Sequence, residues 1–214
     1  MRVLILGSTG MVGSEVLKEC LKTHQITDII VINREQMNTN KKVKKIVHTN
    51  FLNFSNIRKE IINHDICFYC IGVYTGDVSK EKFKEITYDY LTSLAKTIES
   101  NKTIFCLLSA GGANSKSNIL FAKWKGKAED ELMKLNFKHI YIFRPAYIYP
   151  SDKTKQKKSI FYKMIEILYP LFKKFSSFSI TSNQLAKVMI QISLSNTNNK
   201  IFKNKEIRQN SFYL

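Results

Sequence analysis

Val3-Leu4-Ile5-Leu6-Gly7-Ser8-Thr9-Gly10-Met11-Val12-Gly13 stands almost at the start of the chain. Its first four residues are apolar without alternation, as in a parallel strand buried on both faces. Gly7 ends that run. From about Met11 a helix is predicted, because Val12, Val16, Leu17, Cys20 and Leu21 recur on one face at helical spacing. Gly7, Gly10 and Gly13 therefore fall at a strand-to-helix junction. The first glycine of such a loop permits the tight turn. The second lets the backbone approach a pyrophosphate, and the third lets helix and strand pack closely. The helix start offers free N–H groups and the positive end of a dipole. Gly7, Ser8, Thr9, Gly10, Met11, Val12 and Gly13 are thus candidate dinucleotide-binding residues.

Outward from the loop, strands and helices alternate. Further strands are predicted at Ile29 to Ile32, at Ile46-Val47, from Ile66 to Ile71, from Thr103 to Leu108 and from Ile140 to Phe143. Between them lie a weak helix near Ile57 to Ile62, a helix from Lys80 to Glu99 and another from about Leu120 to Leu135. This order predicts an α/β protein: a Rossmann-type, doubly wound parallel sheet with helices on both faces. After Pro150 come a polar, lysine-rich loop, an aromatic and basic helix from Ser159 to Phe175, a helix capped by Thr181-Ser182, and a short strand near Ile201. The expectation is one domain over 1–214. Residues 1–150 form the dinucleotide-binding core, and 151–214 a small extension over the substrate pocket.

At 214 residues and 44% hydrophobic, the chain can bury such a core. The four-residue apolar run near the start is too short for a secretory leader, and no stretch is long enough to cross a bilayer. A soluble, cytoplasmic protein is expected. The net charge is +17, but the lysines are spread along the chain, so no nucleic-acid partner is expected. Cys67 and Cys70 have CxxC spacing inside a strand, where cysteines act as small core residues. His24, His48, His64 and His139 lack ligand spacing, so no metal site is expected. Ser109 lacks a nucleophile-elbow context, which argues against hydrolase chemistry.

The end of the second strand reads the cofactor. NAD sites usually place Asp or Glu there to bond the ribose hydroxyls. This chain has Asn33-Arg34, and a guanidinium matches a 2′-phosphate. Ser8 could add a hydroxyl donor. NADP is favoured over NAD.

Gly7 to Gly13, Asn33-Arg34, Cys70-Ile71-Gly72, Leu107 to Ala113, Lys125-Gly126-Lys127-Ala128-Glu129 and Phe143-Arg144-Pro145 stand in the order of a known family. Over about residues 1–150 the chain resembles the atypical short-chain dehydrogenase/reductase superfamily, close to its Tat-interacting-protein-like and NmrA-like NAD(P)-binding members. The resemblance implies a Rossmann fold, bound NADP(H), and cofactor contacts at Gly7 to Val12, Arg34, Asn50-Phe51 and Ile71-Gly72. It also implies catalysis by a Tyr four residues before a Lys, with a Ser or Thr after the fifth strand. Lys125 and Ser109 match those positions, and Lys125 would also hold the cofactor's ribose. Phe121 stands where the tyrosine would be and has no proton to give. Asn50 stands where an Asp is common. For Tyr147 and Tyr149, after Arg144-Pro145, aromatic packing is the preferred role.

Two functions compete on these residues. One is an NADP-dependent oxidoreductase acting on a small carbonyl compound; the other is a sensor or regulatory protein that holds NADP(H) without turnover. A third reading concerns the lysines between Lys153 and Lys174, interleaved with Ile160, Phe161, Ile165, Leu168 and Phe172. Such a helix can rest on an anionic membrane, though solvated lysines on a pocket flank are preferred.

Overall fold

The computed structural model describes residues 1–36, 42–151, 179–195 and 197–211. Seven strands form one parallel sheet: β1 (Arg2–Leu6), β2 (Asp28–Asn33), β3 (Val43–Val47), β4 (Ile66–Tyr69), β5 (Ile104–Leu108), β6 (His139–Arg144) and β9 (Ile201–Lys203). Their order across the sheet is β3-β2-β1-β4-β5-β6-β9. All pairings are parallel, as when Leu6 stands beside both Ile32 and Tyr69. The first six strands follow the doubly wound order, which reverses between β1 and β4 and opens a crevice there. The expected fold class is the one observed.

Strand alternation divides the core into two layers. Val3, Ile5, Phe68, Cys106 and Phe143 face α1 (Met11–Lys22) and α6 (Ser182–Leu194). Leu4, Leu6, Tyr69, Phe105 and Ile142 face the other layer. That layer holds α2 (Arg58–Ile61), α4 (Tyr90–Ile98) and α5 (Leu120–Leu132). The four cysteines are free thiols, with Cys20, Cys67 and Cys106 buried in this packing. Burial pushes the Cys70 thiol up to about 12, so it is no ready nucleophile.

The stretch predicted as one helix from Lys80 to Glu99 is interrupted. α3 (Lys80–Lys84) passes into a π-turn over Glu85–Asp89 before α4 begins. The wider turn brings together residues five apart: the Tyr90 hydroxyl donates to Glu85 at 2.6 Å, and Lys84 Nζ reaches Asp89 at 2.9 Å. Thr181 caps α6 as expected, in a capping box with Gln184. β7 (Tyr147–Tyr149) pairs with β8 (Ser179–Thr181) in a separate small sheet, and α7 (Asn204–Ser211) follows β9. None of these three elements was predicted. The helix predicted from Ser159 to Phe175 and the basic segment 153–174 lie outside the described residues.

Candidate cofactor and substrate site

The glycine loop is built tightly. Gly7 has φ +82°, a left-handed conformation that favours glycine, and a β-carbon there would lie 2.9 Å from the Cys70 carbonyl group. A β-carbon on Gly13 would lie 2.1 Å from the Gly7 carbonyl oxygen, so only glycine lets α1 sit this close to β1. The Gly10 N–H donates to Gly7 O at 2.9 Å and closes the turn. No acidic side chain occupies the first turn of α1, where the N–H groups have no acceptor within the helix.

A cavity of about 670 Å³ opens beside this loop, over the C-terminal ends of β1, β4, β5 and β6. Thr9, Gly10, Met11 and Val12 wall one side, with Ile71 and Gly72 next to them. Ser109, Phe121 and Lys125 wall the other, and Pro145 to Ile148 complete it. The crevice at the reversal of strand order thus joins the predicted phosphate loop to the predicted catalytic residues. Lys125 is half-buried in protein-dense surroundings. Loss of hydration pulls its ammonium down to about 8, against the opposing pull of Glu129.

Other predicted contacts are placed differently. Ser8 is 1% exposed, and its hydroxyl donates to Asn33 Oδ1 at 2.9 Å, so it braces the loop against β2 and does not face a 2′-phosphate. Asn33 is buried by the same contact, while Arg34 beyond it is exposed. Phe51 is 5% exposed and packs against His48, Phe54 and Tyr90, which leaves its ring no free face for an adenine. Asn50 is exposed, and its Oδ1 accepts the Leu52 N–H at 3.2 Å. The His48 ring donates through Nε2 to the carbonyls of Asn50 and Asn53, 2.7 and 2.9 Å away, and folds that loop back. Tyr147 walls the cavity, contrary to the packing role preferred from sequence; Tyr149 does not.

Sequence reasoning assigned no role to Glu129 and Arg144, which are held behind the cavity wall. Arg144 Nε donates to both Glu129 carboxylate oxygens, at 3.1 and 3.0 Å, and its second guanidinium nitrogen bonds Oε2. The Ser109 hydroxyl donates to Oε1 of the same carboxylate. A signal did exist: Glu129 follows Lys125 by one helical turn, on the same face of α5. Among the described residues no group of three or more His, Cys, Asp or Glu side chains could hold a metal. None of their helices is long and apolar enough to cross a membrane.

Comparison with known proteins agrees with this architecture. The family model for shikimate/quinate 5-dehydrogenase matches residues 1–95, from β1 into α4. The mitochondrial protein FMP52 of Candida albicans is 34% identical over 151 residues, covering 68% of this chain and 66% of its own. FMP52 of Debaryomyces hansenii is 28% identical over 90% of this chain and 87% of its own. The protein HTATIP2 of Rattus norvegicus is 26% identical over 67% of this chain and 61% of its own. Against the first and third of these, the chain spans under two thirds of the relative's length. Yeast methylglyoxal/isovaleraldehyde reductase Gre2, solved with NADPH, superposes with a TM-score of 0.73 at 13% identity, over 95% of this chain and 77% of that one.

The expectation of a cytoplasmic protein is overturned, because the FMP52 relatives from several yeasts are named as mitochondrial. The short apolar run Val3 to Leu6 bears only on the secretory route and is silent on other compartments. By sequence likeness, motif order and fold together, the chain belongs to the atypical short-chain dehydrogenase/reductase superfamily of NAD(P)-binding Rossmann proteins.

Proposed function

We propose that this protein binds NADP(H) and reduces a small carbonyl compound in the cavity beside the glycine loop. One observation carries the reading: the loop residues Thr9 to Val12 and the half-buried Lys125 wall the same cavity. The N–H groups at the start of α1 and its dipole suit a pyrophosphate. The exposed Arg34 at the end of β2 suits a 2′-phosphate better than a bare ribose. Bound NADPH would supply the hydride. Lys125 Nζ would supply the proton, passing it to the carbonyl oxygen as negative charge develops there. The largely apolar wall keeps water from competing.

Fluorescence titration tests the cofactor, with NADPH expected to bind at least about tenfold more tightly than NADH. Arg34→Ala is expected to remove that difference and leave NADH binding unchanged. Failure of both nucleotides to bind would overturn the reading. Turnover is tested by NADPH oxidation with a panel of small aldehydes and ketones.

Phe121 favours a second reading, in which the protein holds NADP(H) as a sensor without turnover. Its ring walls the cavity at the position four residues before Lys125 and offers no proton. Phe121→Tyr separates the two. A rise in reductase activity supports an enzyme that lacks part of its acid–base pair, and an inert variant supports the sensor. The mitochondrial names of the yeast relatives support the same compartment for this chain, which subcellular fractionation tests.

A further inference from the structure

Behind the cavity wall, the hydrogen bonds of Ser109 fix what this residue can offer a ligand. Its hydroxyl has one proton, and that proton is directed at Glu129. Glu129 is 2% exposed and already held by the Arg144 fork, so the carboxylate stays in place as an acceptor. Ser109, which lines the cavity, therefore has only the lone pairs of its hydroxyl left to offer a ligand there.

Lys125 is the opposite case. No hydrogen bond or ion pair to its ammonium is found among the described residues, and a protonated amine can only donate. Both groups line the same cavity. Lys125 and Glu129 lie one turn apart on α5, and Ser109 at the end of β5 is bonded to Glu129. Phe121, one turn earlier, adds only a ring. This wall thus combines a cationic donor with a neutral acceptor in mainly apolar surroundings.

We propose that the site selects a carbonyl compound bearing a hydroxyl on the adjacent carbon, with the carbonyl oxygen toward Lys125 Nζ and the hydroxyl donating to Ser109 Oγ. This rests on the carbonyl-reductase reading and deepens it. A simple ketone of the same size would leave the Ser109 lone pairs facing apolar atoms, and a buried acceptor without a donor weakens binding.

Hydroxyacetone and butanone form a nearly isosteric pair for the test, since a hydroxyl in one replaces a methyl in the other. Their binding is measured by calorimetric titration, with NADP⁺ and without it, and their reduction is followed with NADPH. Hydroxyacetone is expected to be favoured about tenfold in both measurements. Ser109→Ala is expected to bring the ratio near one, and Ser109→Thr, which keeps the oxygen, to preserve it. If Ser109 serves only to support Glu129, the alanine variant weakens both ketones and leaves the ratio unmoved, which overturns the proposal. Equal binding of the two ketones to the unmodified protein, or binding of neither, also overturns it. Selective binding of hydroxyacetone without NADPH oxidation would end the reductase reading and leave the selection standing.

Discussion

A β-carbon on Gly13 would meet the Gly7 carbonyl at 2.1 Å, whereas one on Gly10 would meet only the same oxygen at 3.2 Å. Gly13→Ala is therefore expected to damage the fold, lowering stability by at least about 2 kcal/mol in thermal unfolding. Gly10→Ala is expected to fold nearly normally but weaken nucleotide binding in the fluorescence titration. Lys125 gives a pH-dependent outcome. Glu129 lies on its own helix, backed by Arg144 from β6, while Cys70, Tyr74 and Tyr147 share the cavity walls. With its ammonium titrating at about 8, the proton donor is present below that pH and lost above it. Reduction should fall as pH rises through 8, and Lys125→Arg should remove that limb from the kcat/KM profile. The sign for folding is opposite: the unfolded lysine keeps its proton longer, so this residue makes stability rise with pH from about 8 to 10.5. His64 acts at the acid end. Burial, aided by Arg2, lowers it from 6.5 to about 4 against the pull of Asp65. Below 6.5 the unfolded chain takes up a proton that the folded chain refuses, so stability is lost as pH falls toward 4. The total is about 3 kcal/mol. His64→Gln should flatten that slope in urea titrations.

At the scale of elements, the Glu129–Arg144 pair joins α5 to β6 beneath the cavity. Removing the guanidinium with Arg144→Leu leaves a buried carboxylate without its cation and is expected to cost about 3–5 kcal/mol. The double variant with Glu129→Leu should recover much of that loss, since an apolar pair leaves no charge uncompensated. A double-mutant cycle in urea checks both. The interrupted helix shows a limit of pattern reading. Phe83, Ile86, Tyr90, Leu91, Leu94 and Ile98 make an apolar stripe in sequence, and that stripe carries no mark of a π-turn. The contacts of Glu85 with Tyr90 and of Lys84 with Asp89 accompany the change in winding, and such pairs are visible only once the turn is made.

For the whole molecule, a ligand that binds only the folded state raises its stability by mass action, about 2.7 kcal/mol at a hundredfold excess over Kd. NADPH is therefore expected to raise the thermal midpoint more than NADH at equal concentration, and Arg34→Glu should cancel the NADPH advantage. The edge strand β9 and helix α7 also matter at this scale. β9 pairs with β6 through Ile201 to Lys203, Phe202 stacks on Phe143, and Ile207 of α7 is fully buried in the layer below. These two elements thus complete the main sheet beyond β6.

The sequence by itself determined the fold class, the glycine loop and the two core layers. Strand burial, helical spacing and glycine geometry are local properties, carried by residues close together in the chain. Lys125 and Ser109 were marked instead by the family resemblance, and both line the cavity. Only the tertiary structure decided what those residues can do. Ser8 was available as a phosphate donor until β2 brought Asn33 against it, and Phe51 as a cofactor contact until its ring was buried with His48 and Phe54. The Ser109 hydroxyl proton is engaged in a hydrogen bond to Glu129, a partner 20 residues away that Arg144 on β6 holds in place. Hydrogen bonding in a site is a competition among all groups within reach, and the fold alone brings those groups together.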